Sequence, residues 1–231
     1  MTSSTLPAQG ALAIWNEIDP AHEAEYHRWY WEQHLPERLS VPGFLQACRY
    51  RVVGAGPSFF TWYLVRDVEV LRSAPYLERL ANPTEWTRQV MPWFRDMTRC
   101  ACRITVDVGR GIGGAVATIR LSGTADAESD LRARLAREGL QQSRASEQGG
   151  AVTRIQLWET DRDITVQRTA EHGLRGGPDR LVERIIVLHS SSPELAHACA
   201  TKLRAGVFGG GETPGLDGPF VYTLMHCLSA Q

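Results

Sequence analysis

The chain has 231 residues, 43% of them hydrophobic, with 25 basic residues against 26 acidic ones. That length and apolar content exclude a globally disordered chain, and the near-cancelled charge excludes a basic nucleic-acid module or an acidic tail. Lys202 is the single lysine, so Schiff-base chemistry anywhere else is ruled out.

No apolar run approaches the roughly 18 residues needed to cross a bilayer, and Met1–Gly10 lacks the charged and apolar regions of a secretory signal. Cys48, Cys100, Cys102, Cys199 and Cys227 form an odd set scattered mostly over apolar stretches, which reads as buried thiols in a reducing, cytoplasmic compartment.

Residues 11–18 alternate as a strand, with Leu12, Ile14, Asn16 and Ile18 on one face and Ala11, Ala13, Trp15 and Glu17 on the other. Asp19-Pro20 then supplies a cap and a first-turn proline for a helix over residues 21–39, which Val41-Pro42-Gly43 ends. Two strands at 44–53 and 58–65 flank Gly54-Ala55-Gly56-Pro57 as a hairpin. Helical patterning resumes after Asp67 and again over 84–97, where Pro92 predicts a kink or break, and residues 98–108 make a fourth strand. The order β-α-β-β-α-β is the split βαβ arrangement, with helices on one face of an antiparallel sheet.

Gly109–Gly114 is the best linker, and it lacks the spacing of a phosphate-binding loop. The sheet pattern then restarts with a strand at 115–121, a helix at 126–138, a weak strand between Leu140 and Glu147, and a strand at 152–160. A polar region at 161–179, a strand at 181–189, a helix at 193–205, a glycine-rich loop at 209–218 and a strand at 220–228 follow. The fold class is α+β, with two tandem ferredoxin-like halves: residues 10–109, carrying the candidate cleft, and a diverged half at 113–229 with an added terminal α-β unit.

The segment YHRWYWEQHLPERLSVPGF, Tyr26 to Phe44, resembles the EthD-like branch of the dimeric α+β barrel superfamily, strongest in its H-x-W-Y-W-x-x-H-x-P character and Pro-Gly-Phe turn. The resemblance implies two ferredoxin-like sheets facing each other, either between subunits or between fused halves. Related barrels include small-ring isomerases, polyketide cyclases and cofactor-free oxygenases, and other branches bind haem, so the shared fold selects no single reaction. His34 occupies the characteristic second histidine position of the motif.

On the first helix His27, Trp31, His34 and Arg38 form one stripe by spacing, with Tyr26, Trp29, Tyr30 and Gln33 beside it. His34 is the leading proton-transfer candidate, because imidazole exchanges protons near neutral pH; the plain alternative is a packing histidine. Glu17 could orient an imidazole and Asn16 could donate to a developing oxyanion; strand-end solvation or backbone support competes with both. Trp15, Tyr30, Trp31, Trp62 and Tyr63 supply aromatic surface for a planar ligand or for an ordinary core, Trp62 and Tyr63 pointing to opposite faces.

No metal-ligand series is present, so no cofactor is expected; haem stays open only because a lone histidine can ligate it. The expected function is an enzyme acting on an aromatic or polyketide-like metabolite by proton-transfer-assisted isomerisation, cyclisation or cofactor-free oxygenation. Its alternatives are a non-catalytic small-molecule binder and an assembly protein using the aromatic helix as an interface. Neither nucleic acid nor membrane is an expected partner, and a homodimer is open.

Overall fold

The computed structural model describes residues 8–123, 128–147, 152–175, 178–209 and 213–231. Its eight strands are β1 (Gly10–Ile18), β2 (Phe44–Val52), β3 (Phe59–Val65), β4 (Phe94–Gly109), β5 (Ala115–Leu121), β6 (Val152–Thr160), β7 (Arg184–Ser190) and β8 (Leu216–Ser229). They close into one barrel in the order β1-β3-β2-β8-β5-β7-β6-β4, with antiparallel ladders throughout. Each half of the chain contributes four adjacent strands, and the seams are β2–β8 and β4–β6. The barrel therefore closes within a single polypeptide, which answers the question the sequence left open.

The first half carries α1 (Glu23–Trp29), a π-turn at Tyr30–His34, α2 (Leu35–Leu39), α3 (Ala74–Ala81) and α4 (Glu85–Val90). The second carries α5 (Glu128–Glu147), α6 (Arg162–Thr165), α7 (Ala170–Leu174) and α8 (Pro193–Phe208). All helices lie outside the sheet, so strand alternation sorts side chains into a barrel lumen and two outer layers. In β1, Ala11, Ala13 and Trp15 fill the lumen, whereas Leu12, Ile14 and Ile18 pack under the helices of the first half.

The lumen is a solid aromatic core. Trp15 stacks on Phe60 at 4.7 Å between centroids, Trp62 meets Trp158 edge-on at 6.4 Å, and Tyr50 and Tyr222 complete the set. Eight-stranded barrels are just wide enough to be filled in this way. The outer layer of the second half is aliphatic: Leu131 and Leu135 of α5 and Ala196, Ala200, Leu203 and Val207 of α8 cover Ile119, Leu157, Ile186 and Leu188.

Several expectations are corrected. The helix predicted over 84–97 ends at Val90, with a tight turn at Met91–Trp93, and the strand begins at Phe94, because Pro92 cannot continue the backbone ladder. The weak strand expected between Leu140 and Glu147 is the continuation of α5; Gly139 lies over Val108, and the following Gln, Arg and Ala residues favour helix. The α8–β8 pair, expected as an addition, completes a second β-α-β-β-α-β run from β5 to β8. The expected helix start at residue 126 and part of the glycine-rich loop, 210–212, lie outside the described residues.

Two glycines are required by geometry. Gly43 turns the chain out of α2 with φ 97°, a conformation costly to residues with a Cβ. A Cβ on Gly113, in the linker, would sit 1.7 Å from the Ser190 carbonyl oxygen, so only glycine lets β5 begin alongside β7.

A candidate active site under the first helix

The first helix is not one regular α-helix. At Tyr30–His34 it widens into a π-turn, closed by Leu35 N–H donating to the Tyr30 carbonyl. Pro36 follows at once and has no N–H to offer, and its ring crowds the carbonyl four residues back, so the ladder relaxes there. Such turns often occur where side chains must be re-aimed. In a regular α-helix residues four apart drift about 40° per step around the axis. The wider turn offsets that drift, and Tyr26, Tyr30, His34 and Arg38 all end up buried.

Tyr30, His34 and Arg38 line a cavity between this helix, α3, the outer face of β1, β3 and β4, and the α6–α7 connection of the second half. Leu12, Ile14, Tyr63, Phe94 and Met97 form its sheet-side wall. Arg99, Arg175, Glu171, His172 and Asp179 bring charge to it. In this closed form the cavity amounts to about 40 Å³, room for water rather than for an aromatic ring.

The His34 ring lies 4.1 Å from Trp29 and 5.1 Å from Tyr30, centroid to centroid, and its Nδ1 has no hydrogen-bond partner in the protein. Burial holds its pKa well below 6.5, and Arg38, Arg175 and Arg49 push in the same direction, so the imidazole is neutral at pH 7. Tyr63 is fully buried with its hydroxyl unpartnered; burial raises its pKa well above the usual phenol value, reinforced by Tyr30, and it too stays neutral. Burial works against the Arg38 charge, but Glu171, Tyr76 and Tyr63 outweigh it and the guanidinium stays protonated.

Arg38 pairs with Glu171, both buried, and its Nη1 has no partner. Arg99 donates to the Tyr76 hydroxyl at 3.2 Å, and Arg175 donates to Asp179 at 2.5 Å. Buried charge survives only when paired, and of these contacts the Arg38–Glu171 pair joins the two halves of the chain across the cavity.

The remaining expected residues fall elsewhere. Trp15 and Trp62 point into the lumen, separated from His34 by the sheet itself, and serve the core. Trp31 is 50% exposed and leans on His226 at 4.7 Å, outside the cavity. Glu17 accepts from the Ser58 backbone N–H at 2.7 Å and supports the hairpin. Asn16 is buried on the helix side, where it exchanges hydrogen bonds with Tyr26 Oη at 2.8 and 3.0 Å. The structure thus gathers His34, Tyr30 and Tyr63 and separates them from Trp15, Trp31, Trp62 and Glu17. Sequence reading missed Glu171, Arg99, Arg175 and Asp179 as cavity residues. Arg38 was legible through its four-residue spacing from His34, whereas Glu171 lies 133 residues away with no local signal.

No family model matches the chain, and no curated protein does either. Solved structures do. An anthrone oxidase-like protein superposes with a TM-score of 0.59 at 13% identity, covering 96% of this chain and 93% of its own. A mutant chlorite dismutase of Candidatus Nitrospira defluvii gives 0.56 at 10% identity, covering 96% and 93%. A protein from Thermus thermophilus described as haem-binding gives 0.53 at 13% identity, covering 96% and 92%.

A haem needs an axial side chain and space for the macrocycle. In the second half the outer face is closed by aliphatic packing, His189 points to the lumen beside Trp62 at 6.1 Å, and His197 is exposed. In the first half His34 is wedged against Trp29 beside a cavity of about 40 Å³. The residues present, as folded, do not fit a haem. Among the described residues no group of three or more His, Cys, Asp or Glu is placed to hold a metal ion. The likenesses, all at low identity, show the architecture alone: the chain has a duplicated ferredoxin-like α+β barrel fold, closed within one polypeptide.

Proposed function

We propose that the chain is an enzyme acting on a small aromatic or polyketide-like metabolite by proton transfer in the cavity beneath the first helix. One observation carries this reading: five side chains with buried, unpartnered polar atoms, His34 Nδ1, Arg38 Nη1, Tyr63 Oη, Arg175 Nε and Asp179 Oδ1, line a single cavity. An unsatisfied buried polar group costs about 1–3 kcal/mol, so a cluster of them around one space is best explained by a guest that satisfies them.

The roles follow from charge. Neutral His34 accepts a proton from the substrate, while the neutral Tyr63 hydroxyl donates to the oxygen on which negative charge develops and the charge of Arg38 favours the anion. The arginines that depress the basicity of His34 also favour the substrate anion, and the imidazolium formed is then held beside that anion. Isomerisation, cyclisation and cofactor-free oxygenation share this deprotonation; in the last, the substrate anion supplies the electrons to dioxygen. Likeness to an anthrone oxidase-like protein and the EthD-like character of the Tyr26–Phe44 segment favour the oxygenation branch.

Anthrone is the test substrate: with O2 it yields anthraquinone and water. Turnover by the wild type, lost in His34→Gln with the fold retained, is the expected result. Equal rates in the two proteins overturn the assignment of His34, and binding without turnover in both leaves a small-molecule binding protein.

A further inference from the structure

Glu171 is the one buried residue between Thr165 and Arg175; the backbone around it is half-buried or exposed, and Val166 is 62% exposed. The five-residue helix α7 meets the cavity through this carboxylate, seated on Arg38 of the opposite half, and through Leu174, packed at the edge of the first-half core. Three guanidinium groups line the cavity, Arg38, Arg99 and Arg175, against two carboxylates, Glu171 and Asp179. Asp179 is already engaged with Arg175 at 2.5 Å and faces His172 at 3.3 Å. Arg38 retains an unpartnered Nη1, and among the described residues Arg99 donates to the Tyr76 hydroxyl rather than to a carboxylate.

We propose that Glu171 stands in for a substrate carboxylate: the site takes an aryl carboxylate, whose anionic group displaces Glu171 from Arg38. The inference rests on the proposed function and names the substrate class of that site. A carboxylate on the ligand reproduces the charge and the acceptor geometry that Arg38 now finds in Glu171, and it can also reach Nη1, so the guanidinium is never left bare. Departure of Glu171 releases α7 from the cavity and provides the room a ring needs between Tyr30, Tyr63 and Phe94. Aromatic walls then meet the ring while His34 faces its substituents. The closed cavity is in this view the self-occupied state, in which an internal carboxylate competes with the ligand.

The test uses the full chain with 2-naphthoate and its neutral analogue 2-naphthamide, read by tryptophan fluorescence and thermal shift. Glu171→Gln removes the internal competitor, so naphthoate is expected to bind at least about tenfold tighter than in the wild type, and its thermal shift to be larger. Naphthamide should gain less than about twofold, and Arg38→Gln should abolish the preference for naphthoate. If Glu171→Gln does not fold, Glu171→Asp, which withdraws the charge from Arg38 by one methylene, must show the same ordering. Naphthoate affinity that is equal or weaker in the Glu171 variants sinks the inference. Should naphthamide still bind the wild type in a His34-dependent manner, the aromatic site survives without its anion subsite. Failure of both probes on every folded variant removes both.

Discussion

The imidazole of His34 rests on the indole of Trp29, centroids 4.1 Å apart and planes 30° from parallel. Trp29 is itself pinned by its Nε1–H donating to Thr87 Oγ1 at 3.3 Å, so the ring pair is a fixed unit. A cationic imidazole would gain from the indole face, but burial and three guanidinium groups oppose it. His34 is therefore expected to be neutral at pH 7 and to show no titration near 6.5. Ring nitrogen chemical shifts, measured against His34→Gln for assignment, check this; a titration near 6.5 would overturn the electrostatics of the site.

Folding stability should fall with acid. The pKa of His34 is well below 6.5, that of His189 is lowered to about 3 and that of His27 to about 4. Burial leads in each case; Arg154 adds to it at His189, where Asp107 opposes, and Arg49 adds to it at His27. Below pH 6.5 the unfolded chain takes up protons that the folded chain refuses. The stabilisation is thus complete above 6.5 and is lost as pH falls toward the folded values. Each fully buried histidine contributes at most about 1.4 kcal/mol per pH unit, and half-exposed His27 less. Urea midpoints at pH 7, 6 and 5 should decline, with a shallower slope in His189→Gln; a flat wild-type profile contradicts the burial of these rings.

The aromatic residues divide into two populations that substitution should separate. Trp62→Ala empties part of the lumen and is expected to cost about 3–5 kcal/mol. Trp31→Ala, on an exposed ring, should stay within about 0.5 kcal/mol. Neither side chain lines the cavity, so folded Trp31→Ala is expected to keep wild-type affinity for 2-naphthoate. Denaturant unfolding and fluorescence titration measure the two effects; a binding loss in Trp31→Ala would place the ligand on the outer side of the helix.

Strand alternation made the two faces of β1 and the hairpin legible, because period-two patterning is a local property that the barrel only inherits. The closed topology was not legible: the pairings that close it, Cys48 with Cys227 and Ile104 with Trp158, join distant segments. The same limit governs the site. His34 could be picked out from one helix, but the stripe with Trp31 assumed a regular 3.6-residue turn, and the π-turn replaced it with the row Tyr26, Tyr30, His34 and Arg38. Trp15 and Trp62 looked equally suited to a ligand because composition cannot tell a lumen from a cleft.

Two buried arginines on the same face provide the sharpest contrast. Arg38 has a carboxylate partner in Glu171, whereas Arg49, fully buried, lies 4.3 Å from the Tyr30 ring centroid, 4.5 Å from Tyr26 and 4.9 Å from Phe59, with Nη1 2.7 Å from His27 Nδ1. Removing Arg38 strands a buried carboxylate, at a cost of about 3–5 kcal/mol. Replacing Arg49 forfeits cation–π attraction but relieves the desolvation of a charge without a carboxylate partner among the described residues, so the two effects largely offset. Arg49→Met should therefore change stability by less than about 2 kcal/mol, while Arg38→Met costs more than about 3. Arg49→Met should also raise the His27 pKa from about 4, since Arg49 is one of its two depressing influences. Chemical denaturation and histidine titration by NMR decide the matter, and equal losses in the two variants would show that Arg49 holds the helix as firmly as the Arg38–Glu171 pair.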